Sequence, residues 1–212
     1  MIRYLESQWQ AAPARPRLAR CCVDVWRIDL PLECAAGYTT RGQQDQHSDT
    51  RRAMLEILAR YLAITPGAIG LGVRSGGKPF LESPQSPLRF NLTHTVGLSL
   101  LALSPELELG IDVETRRTID RPLRLARRVM PASHVTTLEN LSGEAQLAAF
   151  FEYWTLLESR QKALGRGIFA EAVDQQQLSC WSFRPAPEYF AALCVSPPSP
   201  EVRVRFFDYL PP

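Results

Sequence analysis

Apolar residues run through this chain in short alternating or continuous blocks, and in a few longer stretches they take helical spacing. The first block, Ala19-Arg20-Cys21-Cys22-Val23-Asp24-Val25-Trp26-Arg27-Ile28, is rich in β-branched and aromatic residues and predicts a strand over 19–28. Residues 7–16 before it read as an irregular arm, and residues 37–47 as a polar, turn-like connection. Met54, Leu55, Ile57, Leu58, Tyr61 and Leu62 then recur at helical spacing, predicting a helix over 50–64 that Ser48-Asp49 can cap and Pro66-Gly67 ends. Short strands are expected within 70–80 and at 88–91, separated by Gly76-Gly77 and by Ser83-Pro84-Gln85-Ser86-Pro87. An apolar strand over 98–103 turns at Ser104-Pro105 into a further strand over 109–113. The second half offers helices over 123–129, 132–141 and 143–164, then strands over 178–183, 189–195 and 202–206. Strand, helix and strands in each half predict an α+β fold in two lobes.

Composition narrows the class without naming a chemistry. A chain of 212 residues, 45% hydrophobic and 22% charged, can bury one substantial core or two small ones in contact. The net charge of +2, with arginines spread along the chain, gives no general affinity for nucleic acid. Five cysteines at irregular spacings read as mostly buried, reduced thiols rather than a disulfide framework. The stretch Met1-Ile2-Arg3-Tyr4-Leu5-Glu6 lacks the continuous apolar character of a signal peptide, and no run of eighteen apolar residues occurs. Cytoplasm is therefore the expected location, with no membrane partner.

Candidate chemistry gathers at two acidic motifs. In Gly110-Ile111-Asp112-Val113-Glu114 the two carboxylates fall on the same side of a strand, with Cα atoms about 6.7 Å apart, and can converge on one cation. About forty residues on, Trp154-Thr155-Leu156-Leu157-Glu158-Ser159-Arg160-Gln161-Lys162 reads as helix and puts Glu158 and Lys162 on one face. Three acids and a lysine suit Mg²⁺ and phosphate, because magnesium takes oxygen ligands and one or two carboxylates. Zinc spacing is absent: Cys21-Cys22 are adjacent and His47, His94 and His134 are scattered. Taken singly, either motif also reads as the solvent face of an edge strand or an ordinary helix surface pair.

Four signals in order along the chain connect these motifs to a family. Gly77-Lys78-Pro79, Asn91-Leu92-Thr93-His94, Gly110 to Glu114 and Trp154 to Lys162 resemble the motif series of 4′-phosphopantetheinyl transferases of the broad-specificity, surfactin-synthetase-activating type, over about residues 50–170. The resemblance implies two similar α+β lobes in one pseudo-dimeric chain, with the boundary near Ser104-Pro105 and the ligand site at their interface. Residues 1–104 would supply nucleotide-side contacts, and 105–212 the metal-binding strand and catalytic helix. The implied reaction is transfer of 4′-phosphopantetheine from coenzyme A to a serine of an acyl or peptidyl carrier protein, releasing 3′,5′-ADP, with Mg²⁺, or Mn²⁺ in its place.

By the same resemblance Asp112, Glu114 and Glu158 would hold the metal, and Glu158 and Lys162 would be catalytic. Arg52, Lys78, Thr93, His94 and Lys162 would contact coenzyme A. Arg127, Arg128, Val129 and Met130 would face the carrier protein, with packing of a helix end as the other reading of that segment. Two lobes in one chain suggest a monomer. One position departs from the pattern: Leu157 stands where the family has lysine. Either that lysine is dispensable, or Arg160 or Lys162 covers for it, or the enzyme is slow or inactive. The alternatives are a Mg²⁺-dependent nucleotide hydrolase, and a degenerate member that binds coenzyme A or a carrier without catalysis.

Overall fold

The computed structural model describes residues 3–30, 40–74, 76–167 and 177–211. The elements are β1 (Trp9–Ala11), β2 (Cys22–Asp29), α1 (Thr40–Leu62), β3 (Gly70–Val73), β4 (Pro79–Ser83), β5 (Arg89–Thr95), β6 (Leu98–Ser104), β7 (Glu108–Thr115), α2 (Pro122–Val129), α3 (Ala132–Glu139), α4 (Gly143–Ala163), β8 (Ser179–Phe183), β9 (Tyr189–Ser196) and β10 (Arg203–Asp208). Among the described residues no helix is long and apolar enough to cross a membrane.

Strand alternation builds two sheets with a shared core. The first sheet has the order β1-β10-β2-β6-β5, the second β7-β9-β8, and β3-β4 form a separate hairpin. Val23, Val25, Leu98, Leu100 and Ala102 of the first sheet pack on Leu109, Ile111, Val113, Leu193 and Val195 of the second. Their neighbours in sequence point the other way: Trp26, Ile28, Leu101 and Leu103 cover Met54, Ile57 and Leu58 of α1. On β7 the residues between the core positions, Gly110 and Asp112, meet α4. The layers are therefore helix, sheet, sheet, helix. This is the expected α+β fold, and a sheet backed by one long helix in each half is compatible with two lobes. Each fully buried Leu, Ile or Phe stabilises by roughly 1.5–3 kcal/mol, so the central layer anchors both strands that carry the site.

Four expectations are corrected. Helix α1 starts at Thr40, ten residues before the expected start, so Ser48-Asp49 lie inside it; residues 37–39 of the expected turn lie outside the described residues. The stretch Thr-Arg-Gly-Gln-Gln-Asp-Gln-His-Ser-Asp has no apolar side to show a helical period. The expected arm over 7–16 contains β1, paired in parallel with β10 from Trp9↔Phe206 to Ala11↔Asp208. Strand β10 joins the first sheet, parallel to β2, rather than the second-half strands. Finally, Cys180 and Cys194 are directly opposed on β8 and β9, with Cα atoms 4.2 Å apart, and form a disulfide. Only the strand register brings them together. Cys21 and Cys22 are free thiols, and Cys34 lies outside the described residues.

Candidate active site

Contact between β7 and α4 depends on a missing side chain. A Cβ on Gly110 would overlap the Ser159 carbonyl oxygen and the Ala163 amide nitrogen. Helix backbone thus lies directly on strand backbone, and no rotamer could relieve a larger residue. Glu158 and Lys162, on the turns flanking this contact, are brought to Asp112, two residues along the strand.

The cluster centres on the buried Asp112 carboxylate. Lys162 Nζ donates to its Oδ1 at 2.6 Å, and Thr93 Oγ1 donates to the same oxygen at 3.2 Å. Lys162 also lies 3.4 Å from Thr93 Oγ1 and 3.6 Å from Glu158 Oε2. Asp112 Oδ2 is buried and has no hydrogen-bond partner. Burial, followed by the Asp112 carboxylate, pushes the Glu158 carboxyl up to about 7, with Glu114 adding to the shift and Lys162 opposing it. Burial alone would lower the Lys162 ammonium, but Asp112 and Glu158 outweigh it and hold it above its ordinary range. Asp112 and Glu158 share one lysine, and the crowding of negative charge falls on Glu158.

A divalent cation fits this donor set on two counts. The donors are hard carboxylate oxygens, as Mg²⁺ demands, and the partnerless Asp112 Oδ2 is a buried acceptor available to it. Glu114 is drawn away toward Arg117. Among the described residues no three acidic, histidine or cysteine side chains stand close enough to hold an ion as they are, so Glu114 would have to exchange Arg117 for the metal.

The other expected residues fall in different places. Thr93 belongs to the cluster, whereas His94, next along β5, points to the α1 side, where its ring meets His47 at 5.4 Å. Burial, His47 and Lys162 lower the His94 imidazole, against the pull of Asp112. Arg52 is exposed and paired with Asp49 at 3.0 Å. Lys78 is set apart: its Nζ donates to Leu109 O at 2.7 Å and to Glu108 Oε2 at 3.1 Å. Leu157 is half-buried. Arg160 is half-buried, and Lys162 engages Asp112 directly. Of the expected carrier-facing residues, Arg128 is exposed and Arg127 pairs with Glu139 at 2.7 Å. Val129 is half-buried, and Met130 is packed with Ala126, Leu138 and Phe150. At Met130 the helix-end packing reading holds.

Asn91 was missed as a working residue. Its Oδ1 accepts the Ile111 N–H at 2.8 Å, and Thr95 Oγ1 accepts the Thr115 N–H at 3.4 Å. Register places Asn91, Thr93 and Thr95 on one side of β5, opposite Ala102, Leu100 and Leu98, so these polar side chains face β7. The signal was present in the alternation Asn91-x-Thr93-x-Thr95 beside an apolar strand.

Comparison with known proteins identifies relatives over most of the chain. The 4′-phosphopantetheinyl transferase superfamily model matches residues 108–193, which include β7 and α4. The chain is 30% identical over 183 residues to the 4′-phosphopantetheinyl transferase HetI of Nostoc sp., covering 77% of each chain. It is 36% identical over 109 residues to the 4′-phosphopantetheinyl transferase AcpT of Salmonella typhi, covering 51% of this chain and 55% of that one. It is 30% identical over 128 residues to the L-aminoadipate-semialdehyde dehydrogenase-phosphopantetheinyl transferase of Rattus norvegicus, covering 56% of this chain and 41% of that one. A match that runs through most of the chain and includes both acidic motifs places it by descent: the chain belongs to the 4′-phosphopantetheinyl transferase superfamily.

Proposed function

We propose that this enzyme transfers 4′-phosphopantetheine from coenzyme A to a serine hydroxyl of an acyl or peptidyl carrier protein, releasing 3′,5′-ADP, with Mg²⁺ or Mn²⁺ bound. The observation that carries this reading is the Asp112–Lys162–Glu158 cluster, with an unpartnered buried carboxylate oxygen, where the two acidic motifs meet. Asp112, Glu114 and Glu158 would hold the metal, which when bound would neutralise charge building on the pyrophosphate. Lys162 would offer its remaining N–H groups to a phosphate oxygen while keeping Asp112 compensated. Glu158 would also take the serine proton, directly or through a water. Thr93, His94 and Arg52 would line the nucleotide side, and exposed Arg127 and Arg128 would meet an acidic carrier.

Intact-mass analysis of an apo carrier incubated with the protein, coenzyme A and Mg²⁺ tests this. A phosphopantetheine-sized gain is expected, absent in Asp112→Ala and Glu158→Ala. No gain on several acyl and peptidyl carriers, with coenzyme A still bound, would favour the second reading, a binding protein without catalysis. Leu157 is the residue that favours it.

Glu158 also gives a pH signature in metal-free protein. Its folded carboxyl is raised to about 7 from an ordinary 4.5, so between those values the native state holds more proton than the unfolded state. Stability from this group is full below about 4.5 and is lost as pH rises through about 7, a change on the order of 3 kcal/mol. Thermal melts with chelator at pH 5 and pH 8 should show wild type losing more than Glu158→Gln; parallel losses would refute the shift.

A further inference from the structure

Among the described residues strand β7 is an edge strand, paired on one side, with β9. Its other edge lies against β5 without backbone pairing to it among the described residues, and unpaired backbone groups on a covered edge require partners. Side chains of the first half supply them. Leu109 O, Ile111 N–H and Thr115 N–H all lie on odd positions of β7, which direct their backbone groups to the same edge. They are met in turn by Lys78, Asn91 and Thr95.

Lys78 differs from the other cations near it. Arg74, Lys78 and Arg89 all approach the Glu108 carboxylate, at 3.5, 3.1 and 3.1 Å. The side chains of Arg74 and Arg89 are 46% and 40% exposed, against 9% for Lys78, and the Lys78 ammonium hydrogen-bonds the β7 backbone. The turn beside it touches the other catalytic element: a Cβ on Gly76 would lie 2.8 Å from Gly165 O, just beyond the end of α4. The β3-β4 hairpin therefore contacts the beginning of β7 and the end of α4, three residues from Asp112 on one side and from Lys162 on the other.

We propose that Lys78 is a positioning residue, which clamps the β3-β4 hairpin to the start of β7 through Leu109 O and Glu108 and so sets Asp112 against Lys162, rather than a contact to the nucleotide. The effect on catalysis rests on the transferase reading above; the effect on β7 does not. Loss of the amine frees the strand edge at Leu109, and displacement by a fraction of an ångström suffices to lower turnover steeply.

The test is Lys78→Met, which keeps the apolar stem, beside Glu108→Gln, which leaves the lysine in place but weakens its anchor. Both are compared with wild type by carrier-modification kinetics and by amide hydrogen exchange across β7. For Lys78→Met the expected result is kcat lower by about 10- to 100-fold, KM for coenzyme A within about twofold, and exchange at Ile111 and Val113 faster by at least about tenfold. Glu108→Gln should move the same quantities in the same direction by less. A rise in KM for coenzyme A with kcat kept would make Lys78 a nucleotide ligand and overturn the proposal, as would unchanged β7 exchange in both variants. If wild type modifies no carrier, the transferase reading fails, and the exchange data alone decide the clamp. If Lys78→Met does not fold, Glu108→Gln decides it.

Discussion

Gly110→Ala is expected to destabilise the protein by about 3 kcal/mol and to remove transfer activity. The added methyl would meet the Ser159 carbonyl oxygen and the Ala163 amide nitrogen, both backbone atoms of α4. Overpacking a core typically costs 1–3 kcal/mol, and this site lies at the upper end because neither neighbour can rotate away. At this chain length that corresponds to a melting point about 6–12 °C lower. Relief by lifting the helix would carry Glu158 and Lys162 off Asp112, so activity falls even in whatever fraction stays folded. Gly67→Ala is the control, since nothing lies within 4 Å of its added Cβ. A Gly110→Ala variant that melts with wild type would show that α4 does not press on β7 as described.

Lys162→Met is expected to lower carrier modification by at least about 10³-fold and stability by about 3 kcal/mol. The stability loss comes from the partner: the Asp112 side chain is 5% exposed, and Lys162, at 30%, is its compensating cation. Removing one member of such a pair leaves a buried charge without a counterion, which matters more than the attraction forfeited. The double variant Lys162→Met/Asp112→Asn should therefore recover stability but not activity, a non-additivity measured by a mutant cycle. Millimolar Mg²⁺ should stabilise Lys162→Met more than wild type if Asp112 is a metal ligand. Equal stabilisation of both would remove Asp112 from the metal site.

Much of this arrangement can be read before folding, and the parts that cannot share a cause. The strands that build the central layer announce themselves by alternation, and α4 by its length and its Glu158–Lys162 pair. Both acidic motifs could be assigned to their elements, and the structure brings Asp112, Glu158 and Lys162 together. The early start of α1 escaped because a polar helix segment leaves no apolar period. The Cys180–Cys194 pairing and the place of β10 escaped because both depend on register between segments far apart in sequence. Lys78 and Asn91 show a third limit. Their side chains reach a strand edge whose need for partners exists only once the sheets meet.

Strand β10 carries a consequence for how the chain comes into being. It lies between β1 and β2 in the first sheet, yet it follows every strand of the second sheet in sequence. During synthesis the inner edge of β2 therefore stays uncovered until residues 203–208 emerge from the ribosome, long after β5, β6 and β7 have been made. An open edge of that kind is an aggregation hazard, and the two halves cannot mature one after the other as independent units. Trimming the chain just after β9 would not spare a finished first half. It would leave that half without its second strand, and β1 without the neighbour that holds it.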